Sequence, residues 1–186
     1  MQRYSLPFKL SDRVVELGGG DNPIQPGRWT NVDFRPLPRV DIVANLEESL
    51  PIKSESCDGV FSKFLLEHIR LSKLRGLISE IHRILKPQGT AVIVTSNLLE
   101  QARVLIETER WNDDLIYMIF GGNPDESWNY HHSSLSPQYA TQLFSEAGFH
   151  QVEIFEWPPS KAIWGRATEM VIQAQKSGAR IIKGAI

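Results

Sequence analysis

The stretch from Val14 to Asn22 constrains the fold of this chain more than any other. It is a short apolar run, Val-Val-Glu-Leu, followed at once by three glycines, Gly18 to Gly20. A β-branched run of this length predicts a buried strand. Glycine directly after it allows either a tight turn with positive φ or the close approach of a ligand to bare backbone. Both interpretations need the same residues, so the remaining sequence has to decide between them.

Length and composition limit the classes of protein to consider. The chain has 186 residues, of which 41% are hydrophobic and 23% charged, so we expect a single domain over residues 1–186 with one core. The net charge of −2 gives no overall attraction to nucleic acid or to an anionic membrane. The first residues lack the apolar core of a signal peptide, and the longest apolar run, Leu115 to Phe120, is too short to span a bilayer. We therefore expect a cytoplasmic protein.

Strand and helix patterns alternate along most of the chain. The predicted strands are 13–17, 29–33, 40–44, 57–62, 91–95, 152–157 and 168–175. The predicted helices are 71–85, one marked by Leu98 to Ile106, a short one between Asp113 and Gly122, and one from Ser136 to Gly148. This alternation predicts an α/β fold, a Rossmann-like doubly wound sheet that is mostly parallel.

Two regions depart from simple alternation. Pro23 and Pro26 fall where the first crossover helix should run, so that helix is predicted to be shortened or missing, and the sheet face there needs another cover. Residues 1–12, which we expect to form an extended arm at the sheet edge, or a second subunit could supply it. The last two strands lack a helix between them and are predicted to be an antiparallel pair.

Polar residues end several of the predicted strands. Ligands of parallel α/β sheets bind outside the carboxyl ends of the strands, where the strand order reverses. The glycines, Asp33, Asn45 and Ser62 each follow a different strand and should meet at one rim. Asp33 there could hold a ribose and Asn45 a base edge, but taken singly Asp33 also suits a turn and Asn45 a helix or turn cap.

These motifs together resemble the class I S-adenosylmethionine-dependent methyltransferases over nearly the full length of the chain. The matching segments are Glu16-Leu17-Gly18-Gly19-Gly20, Asp33, Asn45 to Pro51, Cys57-Asp58-Gly59-Val60, Leu66-Glu67-His68-Ile69, Glu80 to Gly89 and Glu146 to Phe149. The resemblance implies a seven-stranded sheet whose last strand is inserted antiparallel.

The resemblance also implies a cofactor, S-adenosyl-L-methionine, and a position for each part of it. Glu16, Gly18 and Gly20 would lie along its methionine part, Asp33 at the ribose, and Asn45 with Leu46 at the adenine; Gly19, Phe34 and Ser62 complete the candidate cofactor site. A nicotinamide dinucleotide is a weaker alternative, because its diphosphate depends on the helix end that the prolines remove.

Three histidines are candidates for a general base. His68 follows the fourth strand, and His131 and His132 lie in residues 121–135, an aperiodic segment expected to be a substrate loop or lid. His68 could equally be a helix-entry residue bonded to backbone. Adjacent histidines rarely ligate one metal together, so we expect lid contacts and no metal site. Trp128, Tyr130 and Trp164 could line an acceptor pocket or belong to the core.

The acceptor is less constrained than the cofactor. The segment Ser62-Lys63-Phe64 lacks the Asn/Asp-Pro-Pro-aromatic sequence of methyltransferases that modify amino groups of nucleic-acid bases and glutamine. With the acidic balance, this favours a small-molecule, glycan or lipid-linked acceptor over nucleic acid. The sequence does not choose between O-, N- and C-methylation, and it leaves open a homodimer and a binding or regulatory module without turnover.

Overall fold

The computed structural model describes residues 5–108, 113–122, 127–156 and 168–178. Its strands are β1 (Val14–Leu17), β2 (Thr30–Asp33), β3 (Ile42–Val43), β4 (Cys57–Lys63), β5 (Leu85–Ser96), β6 (Phe149–Glu156) and β7 (Glu169–Lys176). Its helices are α1 (Leu71–Ile84), α2 (Leu98–Thr108), α3 (Asp113–Phe120) and α4 (Pro137–Glu146), with single 3-10 turns at Leu66–His68 and Ser127–Asn129.

The strands form one sheet in the order β3-β2-β1-β4-β5-β7-β6. All neighbours pair in parallel except β7, which is antiparallel to both β5 and β6. The predicted Rossmann-like sheet with an inserted antiparallel last strand is therefore confirmed. The order reverses between β1 and β4, so the carboxyl ends of these two strands flank the expected ligand position.

Strand β5 begins earlier than predicted. The residues Lys86-Pro87-Gln88-Gly89 do end α1, but they lie within β5 as an irregularity, since Cys57 pairs with Leu85 and Gly59 already with Thr90. Gln88 has a positive φ of 65° there. The local sequence predicts the end of the helix at this turn, whereas the strand pairing on both sides of the turn depends on β4, which is distant in the chain.

Helix α1 covers one face of the sheet. Its buried residues follow the helical period, namely Leu74, Leu77, Ile78, Ile81 and Ile84. They pack in a large cluster with residues of β1, β4 and β5 and with Leu143 and Phe144 of α4. Helix α4 begins as predicted, because the Ser136 side chain accepts a hydrogen bond from the Tyr139 N–H at the helix N-terminus.

The opposite face is covered by the N-terminal arm. Residues 18–56, which connect β1 to β4, contain no helix, so the predicted loss of the first crossover helix is confirmed. Leu6 and Phe8 instead pack on a second cluster that contains Trp29 and Phe61. The Phe8 ring meets Trp29 edge-on at 5.4 Å between centroids and lies directly over Gly59, where a Cβ would come within 2.4 Å of it.

The expected position of the arm at the sheet edge was wrong. It lies on the face, because the missing helix leaves Trp29 and Phe61 to be covered and the alternating Leu6 and Phe8 point to the same side. Residues 1–4 of the predicted arm lie outside the described residues. In the described ranges no helix combines the length and hydropathy that crossing a membrane requires.

Candidate functional site

The glycine bend is held in place by β2. The Gly18 N–H donates to the Val32 carbonyl at 2.8 Å, and Gly18 and Gly20 have φ values of 75° and 54°. Gly20 is fixed at both of its backbone groups: its N–H donates to Asp33 Oδ2 at 3.0 Å, and its carbonyl accepts from Asn31 Nδ2 at 2.8 Å. Positive φ at two positions explains why glycine is needed. The bend therefore brings backbone without Cβ atoms to the carboxyl end of β1, where Leu65, Asn31 and Arg35 lie close to the positions that Cβ atoms would take.

Asp33 lies next to this bend and is only 2% exposed. Its Oδ1 accepts from the Arg35 N–H at 3.0 Å and from Arg35 Nε at 3.1 Å. Its Oδ2 accepts from Gly20 and, at 3.4 Å, from Arg35 Nη2. The rim expected from the sequence thus brings the carboxylate of β2 to the glycines of β1, with an arginine paired to it.

Glu16 faces the loop that follows the bend. Its two carboxylate oxygens accept from the Ile24 N–H at 3.1 and 2.9 Å, and the side chain is buried. Burial raises the pKa of this carboxyl from 4.5 to about 7, and the hydrogen bonds from Ile24 and Gln25 oppose the shift. The structure thus places Glu16 where it fixes the loop between β1 and β2, with its carboxyl behind Gly19.

The candidate adenine end is built by the turn after β3. Asn45 is exposed, its Oδ1 accepts from the Glu47 N–H at 3.0 Å, and its Nδ2 donates to Glu48 at 2.9 Å. It therefore shapes the turn, as the simpler of the two interpretations expected. Leu46 is buried, and Phe34 at the end of β2 is 48% exposed and presents an aromatic face.

Two buried polar atoms in this region lack a hydrogen-bond partner among the described residues. One is Ser62 Oγ, at the carboxyl end of β4 opposite Leu17 of β1. The other is Asn31 Oδ1, which lies 2.5 Å from where a Cβ on Gly19 would be. Together with the bare bend, the Asp33 carboxylate and the Phe34 face, they are a donor and acceptor set that fits an adenosyl group carrying an amino acid.

The candidate bases gather on the other side of the reversal point. The rings of His68 and His131 meet edge-on at 4.9 Å, and His68 Nδ1 lies 3.2 Å from the Tyr130 carbonyl. A carbonyl can only accept, so Nδ1 carries the proton and Nε2 keeps its lone pair. Burial, and next the nearby His131, lowers the pKa of His68 from 6.5 to about 4. His68 is therefore a neutral imidazole at physiological pH.

The predicted lid is attached to the 3-10 turn that carries His68. The Glu67 carbonyl accepts from the N–H groups of His132 and Ser133 at 2.7 and 3.1 Å, and Ser133 Oγ donates to the Leu66 carbonyl at 2.8 Å. His132 is exposed. Residues 123–126 of the lid and Trp164 lie outside the described residues.

Sequence reasoning missed Asn31, Arg35 and Glu67. Asn31 and Asp33 are two apart on a strand and so share one face, a pattern that could have linked both to Gly20. The Glu67 side chain is fully buried and accepts from Thr95 Oγ1 at 2.8 Å, and burial raises its carboxyl pKa. Nothing local in the sequence distinguishes Arg35 from an ordinary surface arginine.

The structure offers no sign of a metal centre in the ranges it describes, where no three His, Cys, Asp or Glu side chains cluster suitably.

Cys57 is a core residue whose thiol lies 3.2 Å from the Ile84 carbonyl, and burial raises its pKa to about 11.

The comparisons with known proteins bear on this geometry. Residues 27–93 match a family model described as "Methyltransferase domain", a span that contains Asp33, Asn45, Ser62 and His68. This part of the chain is therefore similar to a methyltransferase domain. Such domains take the methyl group from S-adenosylmethionine, so the match agrees with the family and the cofactor expected from the sequence. No curated protein matches the sequence.

Solved structures of similar fold cover nearly the whole chain. An S-adenosylmethionine-dependent methyltransferase from Mesorhizobium loti has a TM-score of 0.63 at 19% identity, over 92% of this chain and 94% of that one. One from Thermotoga maritima has 0.62 at 18%, over 90% and 83%. A chain from the Haloferax volcanii complex between a methyltransferase activator and a methyltransferase has 0.63 at 16%, over 92% and 85%. At these identities the likeness concerns the fold.

Proposed function

We propose that this methyltransferase domain transfers a methyl group to a small-molecule, glycan or lipid-linked acceptor at the carboxyl ends of β1 and β4. The observation that carries the proposal is the 3.0 Å bond between the Gly20 N–H and Asp33 Oδ2, which joins a buried carboxylate to bare backbone beside the reversal of strand order. An acid and a glycine bend in this arrangement suit a ribose with a chain of atoms running past it.

Each part of the cofactor has matching residues. The methionine part would run along Gly18 to Gly20 with Glu16 behind the bend, the ribose would bind Asp33, and the adenine would lie between Phe34 and the turn at Asn45 and Leu46. Ser62 would give its unpartnered hydroxyl to the cofactor. The N-terminal arm supports this site from the face that lacks a helix.

The chemistry asks the protein mainly for positioning. Bound S-adenosylmethionine supplies an electrophilic methyl on a sulfonium, whose leaving group is a neutral thioether. The bend and β4 would hold the acceptor in line with that methyl and keep water away, and well-oriented pairs can gain on the order of 7–11 kcal/mol in this way. A base is required only where the acceptor must lose a proton.

His68 is the base we propose for that proton. Its Nε2 carries the lone pair because Nδ1 donates to Tyr130, and the ring is neutral because its pKa is about 4. A base of such low pKa suits an acceptor that becomes acidic as it is methylated. His131, in edge contact with His68, would position it, and His132 would contact the acceptor from the lid.

Residues 121–135 act in this proposal as a lid on a single domain. Trp128 and Tyr130 are 42% and 39% exposed and lie near Phe34 and His68, which favours an acceptor with an apolar or aromatic part. The reaction would take place in the cytoplasm and needs no nucleic acid. A homodimer is a separate question, to be answered by light scattering on the purified protein.

A second candidate is a module that binds the cofactor without turnover. The low pKa of His68 favours it, since a base with a pKa of about 4 accepts a proton only weakly from an acceptor. Turnover separates the two candidates. The enzyme transfers label to some acceptor in a screened set, whereas the module binds the cofactor and transfers none.

Two experiments test the proposed function. Calorimetric titration with S-adenosylmethionine and with its demethylated product should give heat with one site per chain, and no heat at high protein concentration would contradict the proposal. Mass spectrometry of a cell extract incubated with the protein and a cofactor labelled in its methyl group should then reveal the acceptor by its mass increase.

A further inference from the structure

The Asp33 carboxylate has no acceptor position left for a ribose. A carboxylate offers about four lone-pair positions, two on each oxygen. Oδ1 accepts from the backbone N–H and from Nε of Arg35, at 3.0 and 3.1 Å. Oδ2 accepts from the Gly20 N–H at 3.0 Å and from Arg35 Nη2 at 3.4 Å.

Only two of these four donors can withdraw. The backbone N–H groups of Gly20 and Arg35 cannot withdraw. They belong to the bend after β1 and to the segment after β2, and the backbone of these two strands is fixed by their pairing. The guanidinium is on a long side chain that is 30% exposed, and it can turn towards solvent. Its Nε and Nη2 point at the carboxylate as two parallel donors, which is the pattern that the two hydroxyls of a ribose would present.

The guanidinium also fills the space that glycine leaves open. A Cβ on Gly20 would come 2.7 Å from Arg35 Nη2, so this nitrogen lies against the bare part of the bend. The group is held there from outside, with its central carbon 4.4 Å from the Trp128 ring centroid and 5.5 Å from that of Phe34. Stacking of a guanidinium on aromatic rings is favourable, most of all on tryptophan.

We propose that Arg35 determines the affinity and the ribose selectivity of the cofactor site, because its guanidinium competes with the ribose hydroxyls for Asp33. The cofactor enters when the Arg35 fork leaves the carboxylate, and two ribose hydroxyls then donate where Nε and Nη2 did. This role of Arg35 rests on the proposed function. A nucleoside that lacks both hydroxyls cannot replace the fork and is rejected.

The same exchange connects the cofactor to the lid. Trp128 belongs to the expected lid and contacts Arg35 in the arrangement in which the guanidinium pairs with Asp33. Departure of the guanidinium removes this contact, so the position of Trp128 depends on whether the ribose site is filled. The acceptor side of the site thereby responds to the cofactor.

The test is calorimetric titration of the full chain with S-adenosylhomocysteine. Arg35→Ala should bind it about 5- to 30-fold more tightly than the unaltered protein. The gain arises because the variant has no ion pair and no cation–π contact to break before the ribose binds. Arg35→Met, which keeps an apolar stem against Phe34 and Trp128, should behave in the same way and serves if Arg35→Ala does not fold. Trp128→Ala should tighten binding by about 2- to 5-fold.

Arg39→Ala is the matched control. Arg39 donates to the Asp21 carbonyl at 3.4 Å. Its replacement by Ala removes the same charge close to the bend without affecting the contacts of Asp33. The affinity of this variant for S-adenosylhomocysteine should equal that of the unaltered protein. Adenosine and 2′,3′-dideoxyadenosine provide a second readout. Arg35→Ala should tighten the binding of adenosine alone, whereas a general loosening of the loop would tighten both.

The outcomes are distinguishable. If the unaltered protein binds S-adenosylhomocysteine and Arg35→Ala binds it equally or more weakly, the competition is refuted and the proposed function stands. An equal gain for the dideoxynucleoside also refutes it. If neither the unaltered protein nor any variant binds S-adenosylhomocysteine, the proposed function fails, and the role of Arg35 fails with it.

Discussion

The two halves of the sheet hold their candidate site residues in place in different ways. In the half formed by β3, β2 and β1, strands of two to four residues are joined without helices, and the site residues are fixed by hydrogen bonds to the backbone, as Gly20 is by Asn31 and Asp33. In the half formed by β4 to β7, strands of seven to twelve residues pack against helices, and the candidate base sits on a turn joined to a distant loop.

The candidate site residues are thus held in place even where the sheet lacks a covering helix. Without a helix behind it, the glycine bend has no helix dipole to offer, and its rigidity comes from Asp33, Asn31 and the Glu16 carboxylate. The face itself is covered by the arm. The first half therefore suits a zwitterionic amino acid and a ribose better than a diphosphate.

Removal of the Phe8 ring should have the largest effect on stability. Phe8→Ala should lower the free energy of unfolding by about 2–4 kcal/mol, because it uncovers Trp29 and leaves a gap over Gly59. Urea denaturation measures this change. Leu10→Ala is the control, since Leu10 is 86% exposed and its loss should change stability by less than about 0.5 kcal/mol. Equal effects of the two variants would show that the arm does not replace the helix.

His68 tests the role of the second half. His68→Asn should lower kcat by about 100-fold if the acceptor loses a proton, the lower end of general-base contributions, as a base of pKa about 4 is weak. His150→Asn is the control, because His150 also bonds a carbonyl through Nδ1, at 3.0 Å from Gln175, but lies on β6. The rate with the unaltered enzyme should not fall between pH 8 and pH 5.5 through His68, which ionises only near pH 4. A decrease in the rate on acidification near pH 6.5 that is absent from His68→Asn would contradict this assignment.

Glu16 tests how the first half tolerates a buried carboxyl. Its pKa is raised in the folded chain, from 4.5 to about 7, so its contribution to stability is fully present below pH 4.5 and is lost as the pH rises through 7. Glu16→Gln removes this loss and can still accept from Ile24. The variant should therefore gain on the order of 2 kcal/mol over the unaltered protein between pH 5 and pH 8. A pH-independent difference in denaturation midpoints would show that Glu16 does not titrate in this range.

Ser62, on the strand where the halves meet, should give the smallest effect. Ser62→Ala removes a buried hydroxyl without a partner in the described part of the chain, so the stability of the free protein should change by less than about 0.5 kcal/mol. Ser133→Ala, which loses a 2.8 Å bond to Leu66, should cost about 1 kcal/mol. Ser62→Ala should still weaken cofactor binding by about threefold. Unchanged cofactor affinity would remove Ser62 from the site.

The sequence was sufficient for the elements that local patterns determine. The β1 run, the glycine bend, the period of α1 and the prolines after Gly20 predicted the strand, the turn, the helix and the missing crossover helix. The acid at the end of β2 lies beside the bend because parallel strands end at one rim. These features depend on residues close together in the chain.

Long-range contacts could not be read in this way. The pairing of Arg35 with Trp128, and of His68 with Tyr130 and His131, joins segments more than sixty residues apart. The arm was placed at the edge because its alternation shows which side chains face inward but not which surface receives them. The extension of β5 through Lys86 to Gly89 depends likewise on pairing with β4.

In the proposed site, Asp33 holds the ribose of the cofactor beside the glycine bend. The most direct measurement compares the affinity of S-adenosylhomocysteine for the unaltered protein, for Asp33→Ala and for Asp41→Ala. Asp41 is the control because its carboxylate accepts from the Asn31 N–H, at 2.8 Å, and does not contact the glycines of the bend. Asp33→Ala should weaken binding more than about tenfold, on the order of 1.5–3 kcal/mol, while Asp41→Ala binds nearly as the unaltered protein does. Equal affinity of Asp33→Ala and the unaltered protein would contradict the claim.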